Sequence, residues 1–204
     1  EWENVKWRPL TNGKSFVDEN GYFYPITRMG SFYEGFPPNS AFLDSDWEID
    51  EVEAELRAQI EMALKQIDNV THVSAHMGAA TSTPELAELT KSLAQEYGLD
   101  IDLEEIGARR TGEFGSYKES MVTPTKDRIK NFIDILNNLE PGVWLFVEHP
   151  AYDDAEMQAI HHLGYEHVAF DRQAVTDLLI NKEVQKVIEE RGIQLVSYAD
   201  LKED

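Results

Sequence analysis

The chain has 204 residues, 42% of them hydrophobic, and its 18 basic against 39 acidic side chains give a formal charge of −21. That charge repels a phosphate backbone and an anionic membrane surface, so nucleic acid and membrane are set aside as partners, while a neutral or cationic ligand is compatible. Having no cysteine excludes disulfides, thiol catalysis and zinc–cysteine sites, and no apolar run approaches the roughly 20 residues that cross a bilayer.

The length suits one domain spanning 1–204 with a single core. The first residues carry no targeting signal; a soluble protein is expected, with its compartment open. Residues 1–45 are rich in aromatics and turn formers (Asn12-Gly13, Asn20-Gly21, Gly35-Phe36-Pro37-Pro38) without a sustained period, which predicts a long loop with short extended pieces. From Asp46 the pattern changes. Val52, Leu56, Ile60, Ala63 and Ile67 recur at three and four, with Asp50 and Glu53 spaced as a capping box, which predicts a helix.

A short strand is expected over Val70 to Ala75. Thr83-Pro84 then gives an N-cap with proline at the first helical position, Leu86, Leu89, Leu93 and Tyr97 follow, and Gly98 sits where the helix would end. The same signals return at Thr123-Pro124, with Ile129, Phe132, Ile133 and Leu136 behind them, closed by Pro141-Gly142. Val143 to Val147 reads as a strand covered on both faces. A helix start is expected at Asp153 or Asp154, a weaker strand at Val168-Ala169-Phe170, a helix from Asn181 to Gly192, and a last strand over Ile193 to Tyr198. Alternating strands and helices at this spacing predict a parallel βα architecture.

On a strand, His72, Ser74 and His76 would share one face, and His76 would stand at its C-terminal end, where βα proteins place reacting groups. His149 ends the second apolar strand in the same way. A structural, hydrogen-bonded histidine is the alternative for each, and for His72, two steps further in, the core role is favoured. His161, His162 and His167 read as surface or C-terminal helix charges. Arg109-Arg110, basic residues before a glycine-bearing loop, could contact substrate or simply be solvated.

Two segments resemble a known family. Thr71-His72-Val73-Ser74-Ala75-His76-Met77-Gly78 resembles the Thr-His-x-Asp-Ser-His segment of the YdjC/ChbG-like carbohydrate deacetylases, and Pro141-Gly142 through Glu148-His149-Pro150-Ala151-Tyr152 resembles their Pro-Gly…His-Pro-Gly-Tyr segment. Asp171-Arg172-Gln173-Ala174 through Tyr198 and the opening Trp7-Arg8-Pro9-Leu10 look like the same family, so the resemblance covers nearly the whole chain. It implies a distorted TIM-like (β/α) barrel and a divalent metal, zinc or magnesium, held by an aspartate and two histidines and used to remove acetyl groups from N-acetylated sugars. By motif, His76 becomes a metal ligand and His149 the catalytic histidine near the scissile amide; His72 is a secondary ligand candidate, and Arg109, Tyr152 and Arg172 are candidate substrate contacts. The expected partner is a carbohydrate substrate.

Two departures stand out. Ser74-Ala75 replaces the family's Asp-Ser before His76, removing a carboxylate that could support a ligand. The Asp-Asp pair on the family's first strand and its Gly-x-His-Leu segment also have no counterpart. The sequence is therefore expected to be the C-terminal part of the deacetylase domain, lacking the first βα units and inactive alone, with an open edge that invites a homo-oligomer. The alternatives are a non-catalytic carbohydrate-binding or structural module of the same fold, and a metallohydrolase of phosphoesters.

Overall fold

The computed structural model describes residues 6–30, 36–115, 122–161 and 165–201. Their contacts gather into two compact units, one formed by Glu1–Ile101 with Val196–Asp204 and the other by Asp102–Leu195.

In the first unit, helix α1 (Ile49–Gln66) and helix α2 (Pro84–Glu96) pack on each other and on the N-terminal segment. Phe16, Val52 and Leu86 are its buried centre, with Phe23, Trp47 and Leu56 packed around them. α2 starts as its sequence predicts: the Thr83 hydroxyl accepts the Leu86 amide at 3.2 Å and Pro84 opens the first turn. α1 does not. It begins at Ile49 behind Glu48, no side chain caps it, and Glu53 pairs with Arg57 at 2.9 Å instead of closing a capping box on Asp50.

The carboxylates of α1's first turns are used to hold the loop ahead of it. Glu55, only 3% exposed, accepts the Leu10 amide at 3.0 Å, the Thr11 amide at 2.9 Å, the Thr11 hydroxyl at 2.7 Å and Gln59 Nε2 at 2.7 Å. One turn earlier Glu51 accepts the Ser15 and Lys14 amides, which hold its carboxyl below the usual range. A long segment with little regular structure is thereby pinned by backbone donors on two side chains. Glu55→Ala orphans those donors and is expected to cost about 3 kcal/mol, with Glu55→Gln intermediate, read from urea denaturation; a loss below about 1 kcal/mol would contradict this role.

The second unit centres on Phe114, Phe132, Leu136, Val175, Leu178 and Val184. Helix α3 (Thr125–Asn138) packs against helices α5 (Val168–Leu179) and α6 (Lys182–Glu190), and the short helix α4 (Ala155–Gln158) packs on α5. Caps hold here too: the Asp154 carboxylate accepts the Glu156 and Met157 amides, and the Asn181 side chain accepts those of Glu183 and Val184. α3, in contrast, begins at Thr125 with Pro124 at the cap position, because the Pro124 carbonyl accepts the Asp127 and Arg128 amides.

Three expectations about strands change. Arg109–Arg110 is not a solvated loop but strand β1, paired in parallel with β2 (Trp144–Leu145); the Val143 and Leu145 carbonyls take the Arg109 and Thr111 amides at 3.0 and 3.1 Å. Val168-Ala169-Phe170 is the first turn of α5, its buried Val168, Asp171, Ala174, Val175 and Leu178 following a helical period. Val70 to Ala75 and Ile193 to Ser197 form no regular ladder among the described residues, although Ala75 is extended at φ −87°, ψ 114°. A strand exists only by pairing with a neighbour, and those two segments show no ladder partner among the described residues. The fold is α/β, with a short parallel pair amid helices.

Candidate functional site

In the first unit His76 is exposed and opens two turns of 3-10 helix spanning His76–Thr81. The chain bends sharply just after it: Met77 has φ 52°, ψ 19° and Gly78 φ 66°, ψ 14°. A left-handed backbone costs a side-chain-bearing residue about 1–2 kcal/mol, so Met77 holds a strained position beside the histidine. The Thr27 hydroxyl donates to the Met77 carbonyl at 3.2 Å and the Gly78 amide to the Ala75 carbonyl at 3.1 Å, which secures the bend. Thr27, Arg28, Met77, Gly78 and Ser82 line an open cavity of about 340 Å³ beside it. Arg28 donates from Nη2 to the Ser82 carbonyl at 3.4 Å; a single arginine in a patternless loop carries no spacing signal in the sequence.

His72 is packed differently. Its ring lies flat on Tyr198, centroids 3.6 Å apart and planes 2° from parallel, its Nδ1 is 3.0 Å from the Thr71 hydroxyl, and burial pushes its pKa down. Tyr198 is itself set by a local cap in which the Ser197 amide and hydroxyl both donate to Asp200 Oδ2 at 2.7 Å. These are the contacts of a packed imidazole.

In the second unit His149 is exposed, four residues beyond the end of β2. The loop after it is laid along α5: the Ala151 amide donates to the Arg172 carbonyl at 3.3 Å, the Thr176 hydroxyl to the Ala151 carbonyl at 2.8 Å, and the Asp153 amide to Gln173 Oε1 at 2.9 Å. Tyr152 is 70% exposed on that loop and Arg172 half-buried on the helix beneath. Arg109 belongs elsewhere. Its guanidinium stacks 4.1 Å above the Trp144 ring and bonds Glu140 and the Pro141 carbonyl at 3.0 Å each, at the start of β2. Gly142, at φ 144°, is where the backbone passes it: a Cβ there would lie 2.9 Å from Arg109 Nη2. Arg109 clamps a turn.

One cluster escaped the sequence reading. Arg128 of α3, 0% exposed, is paired with Asp171 of α5, 1% exposed, and donates from Nε to the Thr123 carbonyl at 2.8 Å. His167 Nε2 lies 3.4 Å from Asp171 Oδ2. Burial first, and then the Asp171 charge, push the Tyr165 hydroxyl well above its ordinary pKa. His167 thus precedes a helix and faces a buried carboxylate, correcting the expectation of a C-terminal helix charge. His161 is half-buried, and His162 lies outside the described residues.

The divalent metal implied by the resemblance needs several donors in one place. Among the described residues no three His, Asp or Glu side chains gather closely enough to hold an ion, and His76 is one exposed donor with His72 turned to Tyr198. The described residues by themselves do not fit a metal centre.

The family model described as YdjC-like protein matches residues 1–190. A carbohydrate deacetylase of Thermus thermophilus is 31% identical over 180 residues, covering 78% of this chain and 61% of its own length, so the chain spans less than two thirds of that relative. A carbohydrate deacetylase of Thermoanaerobacter pseudethanolicus is 27% identical over 202 residues, covering 96% of this chain and 74% of its own. A crystal structure from Enterococcus faecalis V583, provisionally named a cellobiose-phosphate cleavage protein, superposes with a TM-score of 0.67 at 23% identity, covering 95% of this chain and 72% of that one.

Proposed function

The chain belongs to the YdjC-like family, and on that footing we propose that the polypeptide carrying it is a metal-dependent hydrolase that removes acetyl groups from N-acetylated sugars or oligosaccharides. The observation that carries this reading is His149, exposed beyond a parallel strand on a loop fastened to α5. The two relatives named as carbohydrate deacetylases support the substrate class. The parallel β1–β2 pair with helices between and after its strands supports a distorted (β/α) barrel as the complete architecture.

In the proposed reaction water adds to the acetyl carbonyl, the C–N bond breaks, and acetate and a free amine leave. An amine is a poor leaving group until protonated, and imidazole is the side chain that can carry that proton near neutral pH. His149 is assigned that proton transfer. A divalent ion, held by the complete polypeptide, would supply Lewis-acid polarisation of that carbonyl. The residues described here offer it one histidine and not a donor set, so His149's assignment stands on its own position. Arg28, lining the cavity beside His76, is assigned a contact to a sugar hydroxyl.

The experiment is acetate release from chitooligosaccharides by the polypeptide containing these residues, with bound metal measured in parallel. Acetate formation that follows metal content is expected; none with added zinc, magnesium, manganese or cobalt would sink the reading. Ser74-Ala75 in place of Asp-Ser favours one alternative, a carbohydrate-binding module of the same fold. It predicts sugar binding without acetate.

A further inference from the structure

Helix α5 is anchored at one end and carries the His149 loop along its side. Asp171, in its first turn, is paired with the buried Arg128 of α3, so this turn is tied to the interior of the second unit. Along the same helix, three groups hold the loop. The Arg172 carbonyl accepts the Ala151 amide at 3.3 Å, the Thr176 hydroxyl donates to the Ala151 carbonyl at 2.8 Å, and Gln173 Oε1 accepts the Asp153 amide at 2.9 Å. Gln173 is itself oriented, its Nε2 donating to Asp177 Oδ1 at 2.8 Å, and Gln158 Nε2 donates to Asp153 Oδ1 at 2.7 Å from the other side.

Ala151 is bonded through both its amide and its carbonyl, in a loop where β-ladder bonds are absent. Only Pro150 separates it from His149, and the proline ring removes one backbone torsion from that link. The backbone at His149 is therefore held close to the Ala151 tether. We infer that Thr176 and Gln173 are positioning residues for His149, transmitting the rigid setting of α5 to a side chain they do not touch. The kinetic consequence rests on the deacetylase reading; the structural one does not.

A misplacement of about 1 Å at a reacting group costs about a hundredfold in rate, so partial loosening by a lost side-chain bond should cost about tenfold. Thr176→Val keeps shape and volume while removing the hydroxyl, and Gln173→Leu removes the acceptor at a half-buried position. Three readouts apply to the polypeptide containing these residues: kcat and KM for acetate release, amide exchange at Ala151 and Asp153, and the NMR signals of the His149 ring. Expected are a kcat about tenfold lower with KM within about twofold, exchange about tenfold faster at those two amides alone, and recovery in Thr176→Ser. Unchanged exchange and kcat in both variants overturns the inference, as does faster exchange spread evenly over α3 and α5, which would mark a general loss of stability. If the parent releases no acetate, the deacetylase reading falls, and exchange with the His149 ring signal then decides positioning: a local change supports it and no change overturns it.

Discussion

Replacing His149 with alanine is expected to lower kcat for acetate release by about a hundredfold to ten-thousandfold while leaving KM nearly unchanged. The reason is the asymmetry between ground and transition states. An exposed imidazole on a loop adds little to the binding of a neutral sugar, but the departing nitrogen needs a proton as the C–N bond breaks, and without it the amine cannot leave at neutral pH. His149→Gln tests this division, since glutamine can still hydrogen-bond the substrate but cannot deliver a proton between pH 5 and 8. Its kcat should fall as far as that of His149→Ala. A kcat within threefold of the parent in either variant would remove His149 from the chemistry.

The second large effect concerns folding. Asp171→Ala leaves the Arg128 guanidinium, at 0% exposure, without its carboxylate partner, and breaking a buried pair in this way costs about 3–5 kcal/mol. Set against the roughly 5–15 kcal/mol of a typical domain, that loss removes much or all of the stability of the second unit. Urea denaturation monitored by tryptophan emission should show the midpoint collapse. Replacing both partners at once, Arg128→Met with Asp171→Leu, should recover a large part, because no charge is then stranded in the core. Tyr165 gives an independent signal. The Asp171 carboxylate helps hold its hydroxyl protonated, so removing that carboxylate should bring tyrosinate absorbance to lower pH in any fraction that stays folded. A midpoint shift worth less than about 1 kcal/mol would show that Arg128 finds water or another acceptor.

Elements whose cause lies within a few residues were legible in the sequence. Thr83-Pro84, Asp154 and Asn181 each cap a helix with their own side chains, and Gly98 and Gly192 follow the ends of α2 and α6. His76 and His149 were legible as histidines placed just after apolar runs, and both are exposed where those runs end.

What escaped depends on partners far away in the chain. Thr123-Pro124 has the same letters as Thr83-Pro84, yet the Thr123 carbonyl is taken by Arg128 and the helix starts one residue later. Arg109-Arg110 has no apolar alternation, and it is a strand only because Val143 and Leu145 offer carbonyls across from it. The Arg128–Asp171 pair joins residues 43 apart, and nothing local to either distinguishes it from a surface charge. Val168-Ala169-Phe170 looked like a strand because three apolar residues in a row carry no period; the helical period appears only when Asp171, Ala174 and Leu178 are counted as buried.

The bend after His76 has a consequence of another kind. Met77 sits in a strained backbone position, 42% exposed, with its residue lining the cavity of about 340 Å³. A thioether so accessible is open to peroxide, and its sulfoxide would put a polar, chiral oxygen at the edge of that cavity beside His76. Exposure to peroxide would then change the polarity of the proposed sugar-binding surface without altering a single codon, and the methionine sulfoxide reductases, one for each sulfoxide epimer, would restore it.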